Sequence, residues 1–260
     1  MLTENTLFGI VDKVAIAIER FKTFEPEEGY YGAFSGGKDS IVIKELARMS
    51  GVKIDWYYQH TTVDPPELVY FIRKHHADVN VNYPKLSMWQ LIQKKGMPPT
   101  RIARYCCQIL KESAGTGVVV TGVRWAESGN RAKRRMFEHC NRDKKKMYLH
   151  PIIDWSDAEV WEFIKSRNMP YCELYDQGFK RLGCIGCPMA RTDGRRAQFE
   201  RWPTYKKAYL TAFRKMLEER DRKGTPSKLK WKNAEEVMEW WMADRERGDK
   251  PNENQCELFT

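Results

Sequence analysis

Residues 30–47 read YYGAFSGGKDSIVIKELA. A short aromatic, β-prone run from Tyr30 to Phe34 leads into Ser35-Gly36-Gly37-Lys38-Asp39-Ser40, and apolar residues then fall at 41, 42, 43, 46 and 47 in a helical grouping. A strand that turns through glycines into a helix start aims several backbone N–H groups at one point. The positive end of the helix dipole falls on the same point, so the spot suits a phosphate. Glycine keeps side chains out of the anion's path, and Lys38 adds a mobile positive charge. The alternative is an ordinary Gly-Gly turn with an N-capping serine, but strand, loop and helix support one another here. The spacing is not that of the Walker-type loop, which places four residues between its first glycine and Gly-Lys-Ser/Thr.

The remaining pattern places this loop in an α/β chain. A helix is expected over about 6–22, the strand at 30–34, and a helix over about 39–49. VKIDWYY (52–58) reads as a strand, and DPPELVYFIRKHH (64–76) as a helix with proline in its first turn. ADVNVNY alternates like a strand, and GVVVTGV (117–123) has the profile of a fully buried one. SDAEVWEFIKSRN opens with a capping box, Ser156 with Glu159. Alternating strands and helices imply a parallel sheet flanked by helices, with ligands at the C-terminal strand ends. Beyond about residue 190 helical signals dominate, so residues 1–190 read as the catalytic domain and 191–260 as a basic, Trp-rich helical extension with a Cys-containing tail.

At 260 residues the chain is long enough to bury a substantial core. No apolar run approaches the roughly 20 residues of a membrane span, and the N-terminus lacks a signal-peptide pattern, so a cytoplasmic protein without membrane contact is expected. Lys and Arg number 45 against 35 Asp and Glu, a net charge of +10. That balance suits a polyanionic partner, or simply a soluble basic surface. Seven cysteines in a cytosolic chain do not read as a disulfide framework. Their spacing is more telling: Cys106 and Cys107 are adjacent, and Cys184-Ile-Gly-Cys187 forms a C-x-x-C. Together they offer four thiolates to one metal centre, with tetrahedral zinc a rival to an iron–sulfur cluster on ligand count.

The hexapeptide SGGKDS resembles the PP-loop of the ATP pyrophosphatases, which split ATP into AMP and pyrophosphate. PIIDWSDAEVWEFIKSRNMPYCELYDQGFKRLGCIGCPM (151–189) and TGVRWAESGNRA (121–132) closely resemble stretches of the phosphoadenosine phosphosulfate (adenylyl sulfate) reductase family. YCCQILK followed by the C-x-x-C is similar to the cysteine pattern of that family's iron–sulfur branch, which holds a [4Fe-4S] cluster. The resemblance runs in order over about 28–190. It implies an adenine nucleotide alpha-hydrolase-like (PP-loop) fold. It also implies nucleotide phosphate at Ser35, Gly36, Gly37, Lys38, Asp39 and Ser40, with Gly122, Arg124 and Arg131 near the nucleotide. Cys106, Cys107, Cys184 and Cys187 are the implied cluster ligands. Two departures bear on the reaction. The reductases usually carry a degraded phosphate loop, whereas this one is intact, which favours ATP with Mg²⁺. Their nucleophilic cysteine lies in a Glu-Cys-Gly-Leu-His tail, whereas here the tail reads ENQCELFT with Cys256 in a comparable place. HTTVDPP (60–66) also stands where the family often has Asp-Thr-Gly.

The expectation is therefore adenylation of an acceptor, a nucleic acid, for sulfur transfer, with a sulfur-donor protein as partner. The alternative is an adenylyl-sulfate reductase served by a thioredoxin-like protein. Lys38, Asp39 and Cys256 are the catalytic candidates, and Asp39 serves equally well as a Mg²⁺ support or a helix cap. RAKRRMFEHCNRDKKK (131–146) reads either as a phosphate-binding strip or as a solvated loop. Trp202, Trp231, Trp240 and Trp241 lie among basic residues and read as base-stacking groups or as anchors of the extension.

Overall fold

The computed structural model describes residues 2–6, 9–140, 143, 145–224 and 231–243. Cys256 and most of the expected linker TPSKLKW lie outside them. The chain opens differently from the helix expected over 6–22: β1 (Thr3–Thr6) and β2 (Gly9–Asp12) pair as an antiparallel ribbon, and α1 spans only Lys13–Thr23. Gly9 sits at φ +114°, a conformation no helix accommodates. Asp12 then caps α1, its carboxylate accepting from the N–H groups of Val14 and Ala15.

The phosphate-type loop lies where expected, between β3 (Tyr30–Phe34) and α2 (Lys38–Ser50). β4 (Ile54–Gln59), α3 (Pro66–His75) and β5 (Asn80–Asn82) follow. α4 (Met88–Lys95) had no counterpart in the sequence reading, although its capping box, Ser87 with Gln90, carries the same signature that marked the helix after Ser156. A single turn, α5 (Tyr105–Cys107), widens into a π-type turn over Gln108–Glu112 before β6 (Gly117–Val120). β7 (Phe137–His139) and β8 (Lys146–Leu149) form a hairpin across the basic strip, and α6 (Asp157–Ser166) follows.

The sheet order is β5-β4-β3-β6-β8-β7, with only β7 antiparallel to its neighbour. From β3 the chain first builds outward through β4 and β5, then returns to place β6 on the other side. The C-terminal ends of β3 and β6 thus flank the reversal, the position where open α/β sheets hold ligands. Side chains alternate across β3: Tyr30 and Phe34 join the main core, while Tyr31 and Ala33 face a small second cluster with Val119, Cys140 and Tyr148. That second face is thinly covered and forms part of a cavity wall.

The extension supplies α7 (Thr192–Arg201), α8 (Pro203–Arg222) and α9 (Ala234–Met242). Trp202 and Trp241 are buried anchors: the Trp202 indole donates to Glu67 on α3, and that of Trp241 to the Pro99 carbonyl at 2.6 Å. Trp231 and Trp240 instead pair edge to face with each other, 4.9 Å between centroids. Among the described residues no helix is long and apolar enough to cross a membrane.

Candidate active site

The loop at the β3 end is shaped by its glycines in two ways. Gly36 adopts φ +72°, and a Cβ there would meet Ile72 and Leu68 of α3 within 2.8 Å. It therefore turns its back to the cavity and acts through conformation, whereas Ser35, Gly37, Lys38, Asp39 and Ser40 line the cavity wall. Gly122, after β6, approaches so closely that a Cβ would stand 2.9 Å from the Cβ of Asp39. The Ser40 hydroxyl donates to the Gly37 carbonyl at 2.8 Å, and Gly37 caps α2 without a side-chain acceptor. One N–H of that helix start is already engaged, since Lys38 N donates to the Tyr175 hydroxyl at 2.9 Å.

Two cations and two carboxylates close a ring beside the loop. Lys38 Nζ lies 3.1 Å from Asp39 Oδ2 and 2.9 Å from Asp157 Oδ1. Arg124 Nε donates to Asp39 at 2.7 Å, and its Nη2 to Asp157 at 2.8 Å. Arg124 is only 1% exposed, and its Nη1 is fixed by the Trp155 carbonyl at 3.0 Å. Burial lowers the Arg124 pKa, but the Asp39 and Glu127 charges outweigh it, so the guanidinium is held more firmly protonated than usual. Burial likewise works to raise Asp157, yet hydrogen bonds and charge from Lys38 and Arg124 prevail and keep its carboxyl below the usual range. Arg131 pairs with Glu127, whose carboxylate also accepts from Arg124 N. Burial pushes the Arg131 pKa down, and the Arg181 charge pushes the same way.

The cavity encloses about 280 Å³ and runs from this ring along the open sheet face. At its far end Tyr31 and Tyr57 stack with centroids 4.4 Å apart, and Gln59 donates to the Tyr31 hydroxyl at 2.7 Å. Another wall carries Asp64, Lys111, Leu182 and Gly183, leading directly to Cys184.

The structure brings the two cysteine pairs together: Cys106 lies near enough to Cys107, Cys184 and Cys187 for each to influence its ionisation. The Cys106 thiol donates to Cys107 and, against the cost of burial, with Arg104 and Lys111 adding positive charge, lowers the Cys107 pKa. Burial and the Asp64 carboxylate raise Cys184, with Lys111 opposing, to about 12. The C-x-x-C turn is held by backbone on one side, Ile185 N donating to the Val63 carbonyl at 2.8 Å. The β4–α3 loop that supplies Val63 contains Thr62 at φ +66°, a left-handed position unusual for a β-branched residue. It falls in the stretch where the resemblance led one to expect Asp-Thr-Gly. Among the described residues no three His, Cys, Asp or Glu side chains are drawn together for a single metal ion.

The phosphoadenosine phosphosulfate reductase domain model matches residues 30–190. The chain belongs to that family. Over 191 residues this reductase-family chain is 30% identical to the adenosine 5'-phosphosulfate reductase of Allochromatium vinosum, a match covering 65% of this chain and 72% of that protein. An uncharacterized protein of Methanocaldococcus jannaschii is 29% identical over 61% of this chain, but the match spans only 41% of that longer relative. The phosphoadenylyl-sulfate reductase of Candida auris, solved with phosphate, shares the fold: TM-score 0.53, 19% identity, covering 68% of this chain and 90% of that one.

Several residues of this family member's cavity escaped sequence reasoning: Asp64, Lys111, Asp157 and Tyr175. Two had legible signals. Lys111 follows Cys107 by four positions, the spacing that puts both on one helical face. Asp157 follows the capping Ser156 and so had to sit at a helix start.

Proposed function

We propose that this enzyme binds ATP in the cavity and adenylates an acceptor, a nucleic acid, for sulfur transfer. An acceptor oxygen attacks the α-phosphorus, the bond from that phosphorus to the bridging oxygen breaks, and pyrophosphate departs. Sulfur at the sulfide level, from a donor protein, then displaces AMP from the acceptor. The observation that carries this reading is the ring of Lys38, Asp39, Arg124 and Asp157 beside an intact loop. A bound pyrophosphate would take over the two cations and the free loop N–H groups. That would release two carboxylates to Mg²⁺, an ion usually held by one or two carboxylates plus substrate phosphates. Adenylyl sulfate brings no pyrophosphate and needs no such metal. The four cysteines are all soft thiol donors approaching from two segments, a donor set that suits a [4Fe-4S] cluster; zinc, the rival on ligand count, needs them drawn closer than they stand. Such a cluster would supply a site for sulfur chemistry next to the cavity.

A second reading, adenylyl-sulfate reduction with a thioredoxin-like donor, is favoured by Lys111, which lines the cavity while its charge reaches Cys107, Cys184 and Cys187. Anaerobic incubation with ATP and with adenylyl sulfate, measuring pyrophosphate and sulfite, separates the two. Lys38→Ala should cut pyrophosphate release by about a hundredfold or more, the usual effect of losing one preorganised charge-stabilising contact. Unchanged release would remove the loop from the reaction, and rapid sulfite formation abolished in Cys256→Ser would establish the reductase. Protein prepared without oxygen should carry about four irons per chain, lost in Cys187→Ser. One tightly held zinc and no iron would exclude the cluster.

A further inference from the structure

Trp125 is 43% exposed, yet it is held in place: its indole N–H donates to the Arg134 carbonyl at 2.8 Å. It stands on a 3₁₀ turn over Trp125–Glu127, between Arg124, anchored in the ionic ring, and Ala126 and Glu127, which line the cavity. The ring is thus fixed next to lining residues on both sides in the chain, with a large part of its surface in water. Lys133 and Arg135 are exposed just beyond the lining residue Arg131 in the chain, and Lys180 and Arg181 are exposed residues of the cavity wall. Among the described residues no carboxylate pairs with any of these four cations, although nearby Arg131 and Arg134 each have a glutamate. Arg131 and Arg181 both line the cavity, so positive charge gathers around its wall. Unneutralised cations around a cavity are stabilised by a polyanion, and an aromatic face near them suits a base with its own face free.

We propose that the cavity mouth binds single-stranded nucleic acid, one unpaired base stacking on Trp125 and the backbone phosphates lying on Lys133, Arg135, Lys180 and Arg181. This names the acceptor's form and rests on the adenylation reading above. A neighbouring nucleotide would then be presented to the ionic ring. A duplex is the poorer fit, because its base faces are covered by stacking and its bases cannot enter the cavity without being unstacked.

The test is fluorescence anisotropy with labelled 12-nucleotide single-stranded RNA and DNA and the matching duplex, all without ATP. Both the full chain and its variants are compared at fixed salt. Single strands should bind more tightly than the duplex, and whichever sugar binds better identifies the natural strand. Trp125→Ala should weaken single-strand binding by about five- to a hundredfold, the range for loss of one base–aromatic stack. Trp125→Phe, which also lacks the indole N–H, should restore most of it, separating stacking from local folding. Lys133→Ala and Lys180→Ala should each flatten the dependence of log affinity on log salt by about 0.7. Equal binding of duplex, or indifference to Trp125→Ala, or no oligonucleotide binding, would overturn the proposal. Because binding is read without ATP, a chain that binds strands but releases no pyrophosphate would keep this surface and lose only the adenylation reading.

Discussion

His76 shows how a residue with no part in the chemistry sets a property of the protein. It ends α3 with its ring between Phe34 and Phe71, centroids 4.7 and 5.2 Å away, and is 9% exposed. Lys44 Nζ lies 3.2 Å from its Nδ1 and also pairs with Asp78 at 2.6 Å. Burial, helped by the Lys44 charge and against Asp78, pushes its pKa down to about 4. The unfolded chain therefore takes up this proton first, near pH 6.5. Stability from His76 is fully present above that pH and is lost as pH falls toward 4, at most about 3 kcal/mol. Urea midpoints measured across that window should decline in the wild type and decline less in His76→Gln. Equal slopes would mean that the titration lies elsewhere, with His150, also pushed down by burial, the next group to substitute. In the sequence, His75 and His76 mark only the end of a helix, where positive charge suits the dipole. The Phe34 contact comes from β3, far away in sequence, and only the fold reveals it.

At the scale of elements, what could be read was what is local. The Ser35–Ser40 loop, its strand and its helix were legible because strand pattern, glycines and helix pattern occupy one continuous stretch. The capping box at Ser156 was legible for the same reason, and its twin at Ser87 was readable but passed over. The N-terminal ribbon was not, because Ile10 and Val11 mimic helical apolar spacing and the decisive signal was the single conformation of Gly9. The ionic ring was only half visible. Lys38 and Asp39 stand in the motif, and Arg124 came with the resemblance. The partner that closes it, Asp157, depends on α6 being aimed at α2, which no short pattern encodes. The short hairpin of β7 and β8 was hidden by the charges that fill it. Tyr175, which occupies a loop N–H from 137 positions away in sequence, was invisible to any local reading.

The largest scale concerns where the molecule may be divided. The family's shared region ends at residue 190, three positions beyond Cys187. The rings that close the back of the C-x-x-C turn come from further on. At Gly186, φ +73°, an added Cβ would stand 2.8 Å from Phe199 and 3.1 Å from both Trp241 and Tyr209. Tyr209 also donates to the Ile185 carbonyl at 3.0 Å, and Gln198 accepts from Gly186 N at 2.9 Å. Fragment 1–190 would thus leave Ile185 and the thiols behind an open wall, with no substitute for three large buried rings. It should unfold over a broad urea range, and a transition as steep as the parent's would show otherwise. The end of the family match and the end of the packing around the C-x-x-C turn lie in different places along this chain. A change in the last three helices, far from any motif, is therefore a change to the housing of the C-x-x-C turn.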